Sequence, residues 1–463
     1  MGFFLSILYL LTYYLTPTTI FGPLAPYRVE LVLAVLILIV SLPSFARSFI
    51  TRTPQSLALL GLALATLLSV IFGLHWVGGS VQICLLFIPN AYAYFLVCLH
   101  CNSKKRLRIL ALMLLFACFF VIARGWLDLQ YGVAGSGGIQ PRSGGRDPLW
   151  DIEHPYLLPM GSDAGEMFYR LRGQGLINDP NDFGQLIVCV IPLAFLFWRT
   201  KKALQNFALV LLPAGVLLYG VYLTHSRGAL LALIAMAVAA GRRRIGTVPS
   251  LLLAGVLFVA AMALDFTGGR AISAESGSDR TAIWSASLEV LKSHPLFGVG
   301  LGGLPDYIGI TAHNSVMVCA AELGFLGLYF WSLFLFSTVR DVLETASPAK
   351  VSEAEPIIAE EGPFPPAIRK TEAIDKAEVN RLGRLLTLSL VGYLVTGWFL
   401  SRAFIVTFFL LGGMVEVVYE MALQQGMIAP RLSLARTLSY ACGLAVALVM
   451  LMYILLRAVN LSH

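Results

Sequence analysis

Thirteen apolar segments separated by short polar connections constrain this chain more than any other feature. They run over roughly 3–20, 29–46, 56–73, 81–99, 107–124, 184–198, 203–223, 228–240, 247–264, 313–337, 385–400, 403–423 and 437–457. Apolar runs of about 16–22 residues match a hydrocarbon core about 30 Å thick. Composition agrees: 58% of residues are hydrophobic and 13% charged, with a mean hydropathy of +0.79. A soluble domain carries about 25% charged residues, and a membrane barrel would show short alternating segments. The chain reads as an all-α polytopic membrane protein with about 12–13 transmembrane helices. Its start, Met1-Gly2-Phe3-Phe4-Leu5, lacks a basic leader region, so the first segment is expected to be a membrane helix.

The basic residues orient the segments. If the segments alternate, Arg47/Arg52, Lys104 to Arg108, Arg199 to Lys202, Arg242 to Arg244, the stretch Arg340 to Arg384, and Arg431/Arg436 share one side. That side is expected to be cytoplasmic. It holds 21 of the 33 Lys+Arg, and eleven of the other twelve are arginine. Lysine obeys the orientation rule except at Lys292, and arginine does not. Outward arginines need another reason, and bidentate binding of phosphate is one. The net charge of +7 is dispersed in short clusters between apolar runs, which is not a nucleic-acid footprint.

This orientation divides the chain into seven parts: N-terminal membrane helices (1–124), a first outward-facing loop (125–183), central helices (184–264), a second outward-facing loop (265–312), a helix bearing His313 (313–337), a cytoplasmic linker (338–384) and C-terminal helices (385–463). The first loop is rich in glycine and proline and ends in Asn178-Asp179-Pro180-Asn181, turn chemistry that leads into a helix. The linker is charged and proline-rich and is expected to be flexible. None of the seven cysteines lies in the long polar loops, so no disulfide is expected there. Cys98-x-x-Cys101 has no second ligand pair, and no metal site is expected.

The stretch 265–327 concentrates the chemistry. Ser278 to Lys292 reads as a short amphipathic helix with Ser278 as N-cap and with Trp284, Leu288 and Leu291 on one face. Arg280 then falls in the first turn, where an anion would meet both its guanidinium and free backbone N–H groups. An interfacial arginine paired with Asp279 or lipid phosphate fits equally. Arg227, in Ser226-Arg227-Gly228, is either a substrate ligand or a snorkelling arginine. His313 opens the next membrane helix as a general base, a phosphate ligand or a packed capping residue. Glu322, deeper in that helix, is a functional acid or a hydrogen-bonded structural one. Glu416 and Glu420 read as structural. Gly298-Val299-Gly300-Leu301-Gly302-Gly303 lacks the Lys-Ser/Thr and strand context of a nucleotide loop.

In order along the chain, these motifs resemble the O-antigen ligase/polymerase superfamily of bacterial envelope glycosyltransferases. His313-Asn314, nine residues, then Gly324-x-x-Gly327 resembles the ligase pattern of histidine, small polar residue and Gly-x-x-Gly. Ser226-Arg227-Gly228 resembles the family's helix start. Arg280 with Trp284, followed by His294-Pro295-Leu296-Phe297-Gly298-Val299-Gly300, resembles the run before the histidine. Arg172-Gly173 with Asp179-Pro180-Asn181, and Phe399-Leu400-Ser401-Arg402, resemble an earlier and a later outer segment. The chain departs from many ligases in that the 124–183 loop is about as long as the one before the histidine, which leaves the acceptor open.

The resemblance implies a fold related to C-type glycosyltransferases in the bacterial inner membrane, with the active side periplasmic. It implies an undecaprenyl-diphosphate-linked oligosaccharide or polysaccharide donor, transfer without metal or other cofactor, and a lipid A-core, glycan or protein acceptor. Carried onto this sequence, it points to Arg172, Arg227, Arg280 and Arg402 at the diphosphate and to His313 at the acceptor hydroxyl or a phosphate oxygen. Asn181, Asn314, Glu322, Gly324 and Gly327 are expected to support them. Ligase, polymerase and protein O-oligosaccharyltransferase activities share this chemistry, and the Gly-x-x-Gly match favours the ligase. A secondary transporter predicts repeated halves, broken helices and ionisable groups near the midplane; here the unusual charges gather at one face. A non-catalytic export scaffold predicts that His313 and Arg280 are dispensable.

Overall fold

The structure, a computed structural model, describes residues 1–20, 22–47, 53–132, 154–161, 167–268, 274–347 and 374–460. Most of the glycine-rich part of the first loop, with Arg142 and Arg146, lies outside the described residues, as do Arg270 and linker residues 348–373.

Each apolar segment falls on a helix. Among the described residues eight helices are long and apolar enough to cross a membrane: Pro54–Phe72, Val77–His100, Lys104–Gln130, Pro180–Phe197, Ala203–Thr224, Ser315–Ala346, Val406–Leu423 and Leu434–Ala458. Gly2–Leu15, Val29–Phe45 and Thr247–Ala263 are shorter and apolar. Segments 228–240 and 385–400 lie on Arg227–Ile245 and Lys376–Gly397. The protein is an all-α polytopic membrane protein, with one small hairpin in the first loop. The chain divides into two compact units.

The first unit comprises Met1–Val40, Lys105–Ile272 and Leu388–Thr396. Its central helix, Pro180–Ala194, starts as its sequence dictates. Asp179 is the N-cap, its carboxylate accepting the Asn181 N–H at 2.7 Å, and Pro180 occupies the first position, where no N–H is needed. Gln185 is fully buried and donates to Thr396 Oγ1 at 2.8 Å, a polar tie between helices. The hairpin pairs Leu157–Gly161 with Met167–Leu171, Leu157 opposite Leu171 and Pro159 opposite Tyr169. Alternation places Leu157 and Leu171 in the interior. Gly125 of helix Lys104–Leu127 admits the hairpin, since a Cβ there would lie 2.0 Å from Leu171 Cδ1.

The second unit comprises Ser41–Lys104, Ser273–Thr387 and Gly397–His463. Helix Ser315–Ala346 packs against Pro54–Phe72, where Gly61 leaves room for the Phe330 ring. Val406–Leu423 is buried nearly throughout and packs on Val77–His100. Tyr94, Phe334, Phe408 and Phe409 form an aromatic core of mostly edge-on rings 5.0–5.7 Å apart. Arg431 crosses beneath it to Asp341 (3.0 Å) and Glu416 (2.5 Å), stacks 4.5 Å from the Tyr419 ring centroid, and leaves Gln55 to donate to Asp341 at 2.8 Å. Glu416 is buried and sits in this ion cluster.

Helix Ser315–Ala346 is broken at Gly324, with φ 64° and ψ −166°. The break frees the carbonyls of Ala321 and Glu322, and the strap His294–Gly303 occupies them. Val299 and Gly300 donate to these carbonyls at 3.0 and 2.9 Å, while Phe325 and Leu326 donate back to Pro295 and Leu296 at 2.7 and 3.3 Å. Gly298 and Gly324 lie so close to the opposing backbone that a Cβ on either would come within 2.4 Å of it. The glycine-rich run is therefore the part that seats on an interrupted helix, and Gly298 serves the close approach.

Candidate active site

In the second unit, three chain segments meet around the predicted histidine. Helix Ala274–Ser293 buries Trp284, Leu288 and Leu291 on one face, as their spacing predicts. Its start differs from the expectation. The backbone is helical from Ala274, so Ser278 is not the N-cap and Arg280 lies in the second turn. Its backbone N–H lies inside the helix and contributes no free donor to an anion. Any anion binding by Arg280 belongs to its guanidinium, which lies 5.5 Å from the centroid of the Phe399 ring.

His313 stands two residues before the helix rather than at its head. The helix begins at Ser315 and runs to Ala346, and Asn314 is its N-cap, accepting the N–H groups of Val316 (2.9 Å) and Met317 (3.0 Å). The histidine adopts the left-handed conformation, φ 49°, uncommon for a residue with a side chain. Partners on both flanks fix it. Trp284 Nε1 donates to the Ala312 carbonyl at 2.9 Å, and the His313 N–H donates to Ser401 Oγ at 2.8 Å. Asn314 Nδ2 donates to the Trp398 carbonyl at 3.0 Å. Ser315 Oγ donates to the Leu400 carbonyl at 2.7 Å and accepts the Arg402 N–H at 3.2 Å. The turn Trp398–Arg402 thereby carries Arg402 beside the histidine segment. His313, Arg280 and Arg402 are each partly exposed.

Glu322 and Gly324 lie at the helix break. Glu322 is buried within the helix just before the break. Gly327 follows a turn later, buried against Leu323.

The first unit holds the remaining candidates. Arg227 opens helix Arg227–Ile245 behind Ser226, an N-cap whose hydroxyl accepts the Ala229 N–H at 3.4 Å. His225 ends the preceding helix in the left-handed conformation and its Nδ1 meets the Phe266 carbonyl at 3.0 Å. Arg172 follows the hairpin, is buried, and donates its N–H to Tyr156 at 2.9 Å. Asn181 accepts from the neighbouring Arg170 at 2.9 Å, and Arg170 Nε donates to the Thr224 carbonyl at 2.8 Å. Arg170 thus caps the end of one helix and ties it to the start of another.

Two contributors were not singled out by the sequence: Ser401, whose hydroxyl sits on His313, and Arg170, whose guanidinium fixes Asn181. Ser401 lies in the Phe399–Arg402 motif, and that motif was the available signal. Among the described residues no group of three or more His, Cys, Asp or Glu side chains is arranged to hold a metal ion.

Residues 212–332 match the family model described as O-antigen ligase. The matched range includes Arg227, Arg280, His313, Asn314, Glu322, Gly324 and Gly327, and leaves Arg172, Asn181 and Arg402 outside it. No curated protein matches the chain.

Proposed function

We propose, on the match of residues 212–332 to the O-antigen ligase family model, that the chain is a glycan-transferring membrane enzyme that moves a glycan from an undecaprenyl-diphosphate-linked donor to a periplasmic acceptor at the inner membrane. One observation carries the reading: His313 and Arg402 are braced together through Ser315 and Ser401, and Arg280 lies over Phe399 of the same turn. A base or phosphate ligand and two guanidinium groups on one braced framework suit displacement at a sugar carbon. The bond between that carbon and the diphosphate oxygen breaks, and the leaving group departs with the electron pair. The acceptor oxygen forms the new bond and loses its proton, to His313 where His313 is the base.

Arg280 and Arg402 supply charge to the diphosphate, so the proposal needs no metal. The exposed apolar flanks of the helices suit the lipid tail. The lysine distribution supports a periplasmic site. The helix break at Gly324 is of a kind seen in transporters, but here its freed carbonyls of Ala321 and Glu322 accept backbone N–H groups of the strap. It is a docking point rather than an ion site.

The ligase reading, with lipid A-core as acceptor, rests on the His-Asn-x9-Gly-x-x-Gly spacing. Membrane vesicles supplied with radiolabelled lipid-linked glycan test it. Label arriving on lipid A-core supports the ligase, label in longer glycan chains the polymerase, and label on protein the O-oligosaccharyltransferase. Uptake of the lipid-linked donor without any transfer would replace the enzyme with a transporter.

A further inference from the structure

His313 holds a left-handed backbone that a side-chain-bearing residue keeps only where its surroundings over-determine it. The surroundings are two segments distant in sequence, and the stronger hold is the turn Trp398–Arg402. Two serines brace the segments reciprocally. Ser401 Oγ accepts the His313 N–H at 2.8 Å and the Thr311 hydroxyl at 2.5 Å. Ser315 Oγ, from the histidine side, donates to the Leu400 carbonyl at 2.7 Å and accepts the Arg402 N–H at 3.2 Å. Ser315 therefore bonds to the residues on both sides of Ser401, and Ser401 bonds to two groups that lie just ahead of Ser315. Neither His313 nor Arg402 can shift along its segment without breaking at least one of these bonds.

We infer that Ser401 is a positioning residue for the transfer reaction, setting the imidazole of His313 in register with the guanidinium of Arg402 through the brace it forms with Ser315. The inference rests on the proposed role of His313 toward substrate. Ser401 needs no contact with substrate for this role; it acts through His313. A hydroxyl is required because its oxygen accepts two donors from one side. Threonine preserves that oxygen and alanine removes it, leaving the His313 N–H and the Thr311 hydroxyl to find other partners.

The test compares Ser401→Ala, Ser401→Thr, Trp331→Phe and His313→Ala in the full-length protein in vesicles, with radiolabelled lipid-linked glycan as donor. Trp331→Phe removes another buried hydrogen bond to the same loop, Nε1 to the Ala403 carbonyl at 3.0 Å, without touching His313. Misplacement of a reacting group by about 1 Å costs roughly a hundredfold in rate, so Ser401→Ala is expected to lower kcat roughly ten- to hundredfold with donor KM within about twofold. Ser401→Thr restores kcat to within about threefold, and Trp331→Phe lowers the melting temperature while leaving kcat unchanged. Wild-type kcat in Ser401→Ala alongside an inactive His313→Ala overturns the inference and leaves the function standing. An equal fall of kcat in Trp331→Phe and Ser401→Ala also overturns it, since that is the signature of general loosening. Full activity in His313→Ala overturns the functional reading on which the inference rests.

Discussion

Replacing Gly324 by alanine tests the broken helix, on which the placement of the strap before His313 depends. At φ 64° and ψ −166° the residue occupies a region essentially reserved for glycine, where a side chain costs about 1–3 kcal/mol. The added Cβ would lie 2.4 Å from the Leu296 carbonyl carbon and oxygen. Those are backbone atoms, so relief requires moving the strap, an overpacking cost of about 1–3 kcal/mol. The alternative is for the helix to straighten through residue 324, which recovers about 1 kcal/mol of helix propensity but displaces the four backbone bonds that seat the strap. Either route leaves a deficit of about 3 kcal/mol, which at 2–4 °C per kcal/mol for a unit of this size lowers the melting temperature by roughly 6–12 °C. Gly443→Ala is the control, in helix Leu434–Asn460 with nothing within 4 Å of its Cβ, and should be neutral or slightly stabilising. Melting is followed by light scattering of the detergent-solubilised protein. A Gly324→Ala protein that melts with the Gly443→Ala control would refute the broken helix and the docking of the strap upon it.

Other expectations follow from the same packing. Asn314→Ala removes an N-cap serving two N–H groups and a bond to Trp398, and should cost about 2–3 kcal/mol in thermal or denaturant unfolding. Asn314→Asp keeps the accepting oxygen and should lose about 1 kcal/mol; equal losses in the two variants would deny the capping role. Arg431→Met leaves Asp341 and Glu416 buried without their shared guanidinium and should destabilise by about 3–5 kcal/mol. Urea unfolding measures it, and a loss below about 1 kcal/mol would mean that the cluster is exposed to water.

The helices were legible because membrane segments are written as long apolar runs, and the helix start after Asn178-Asp179-Pro180-Asn181 because its turn chemistry is local. The features that assemble the site were not local. Ser401 bonds to a residue 88 positions away, and Ser315 reaches Leu400 across 85; no periodicity records such pairs. The break at Gly324 was hidden because Gly-x-x-Gly in an apolar helix also describes ordinary close packing. Asn314 was read as a companion of His313 rather than as the cap that ends the loop, which put the histidine inside the helix. Arg280 was misplaced within its helix because Ser278 has cap chemistry. The helix nevertheless continues upstream through Ala274-Glu275-Ser276-Gly277, and cap propensity does not stop a helix that can propagate. The strands Leu157–Gly161 and Met167–Leu171 are too short, and too surrounded by glycine and proline, for their alternation to stand out.

The proposed role of Arg280 and His313 is glycan transfer from a diphosphate-linked donor. Its most direct test is single-turnover transfer of radiolabelled lipid-linked glycan in vesicles by Arg280→Lys, with membrane insertion checked by immunoblot. Lysine keeps the charge and loses the planar fork that engages a diphosphate. Insertion should be normal and transfer reduced at least about a hundredfold. Transfer within about threefold of wild type would contradict it.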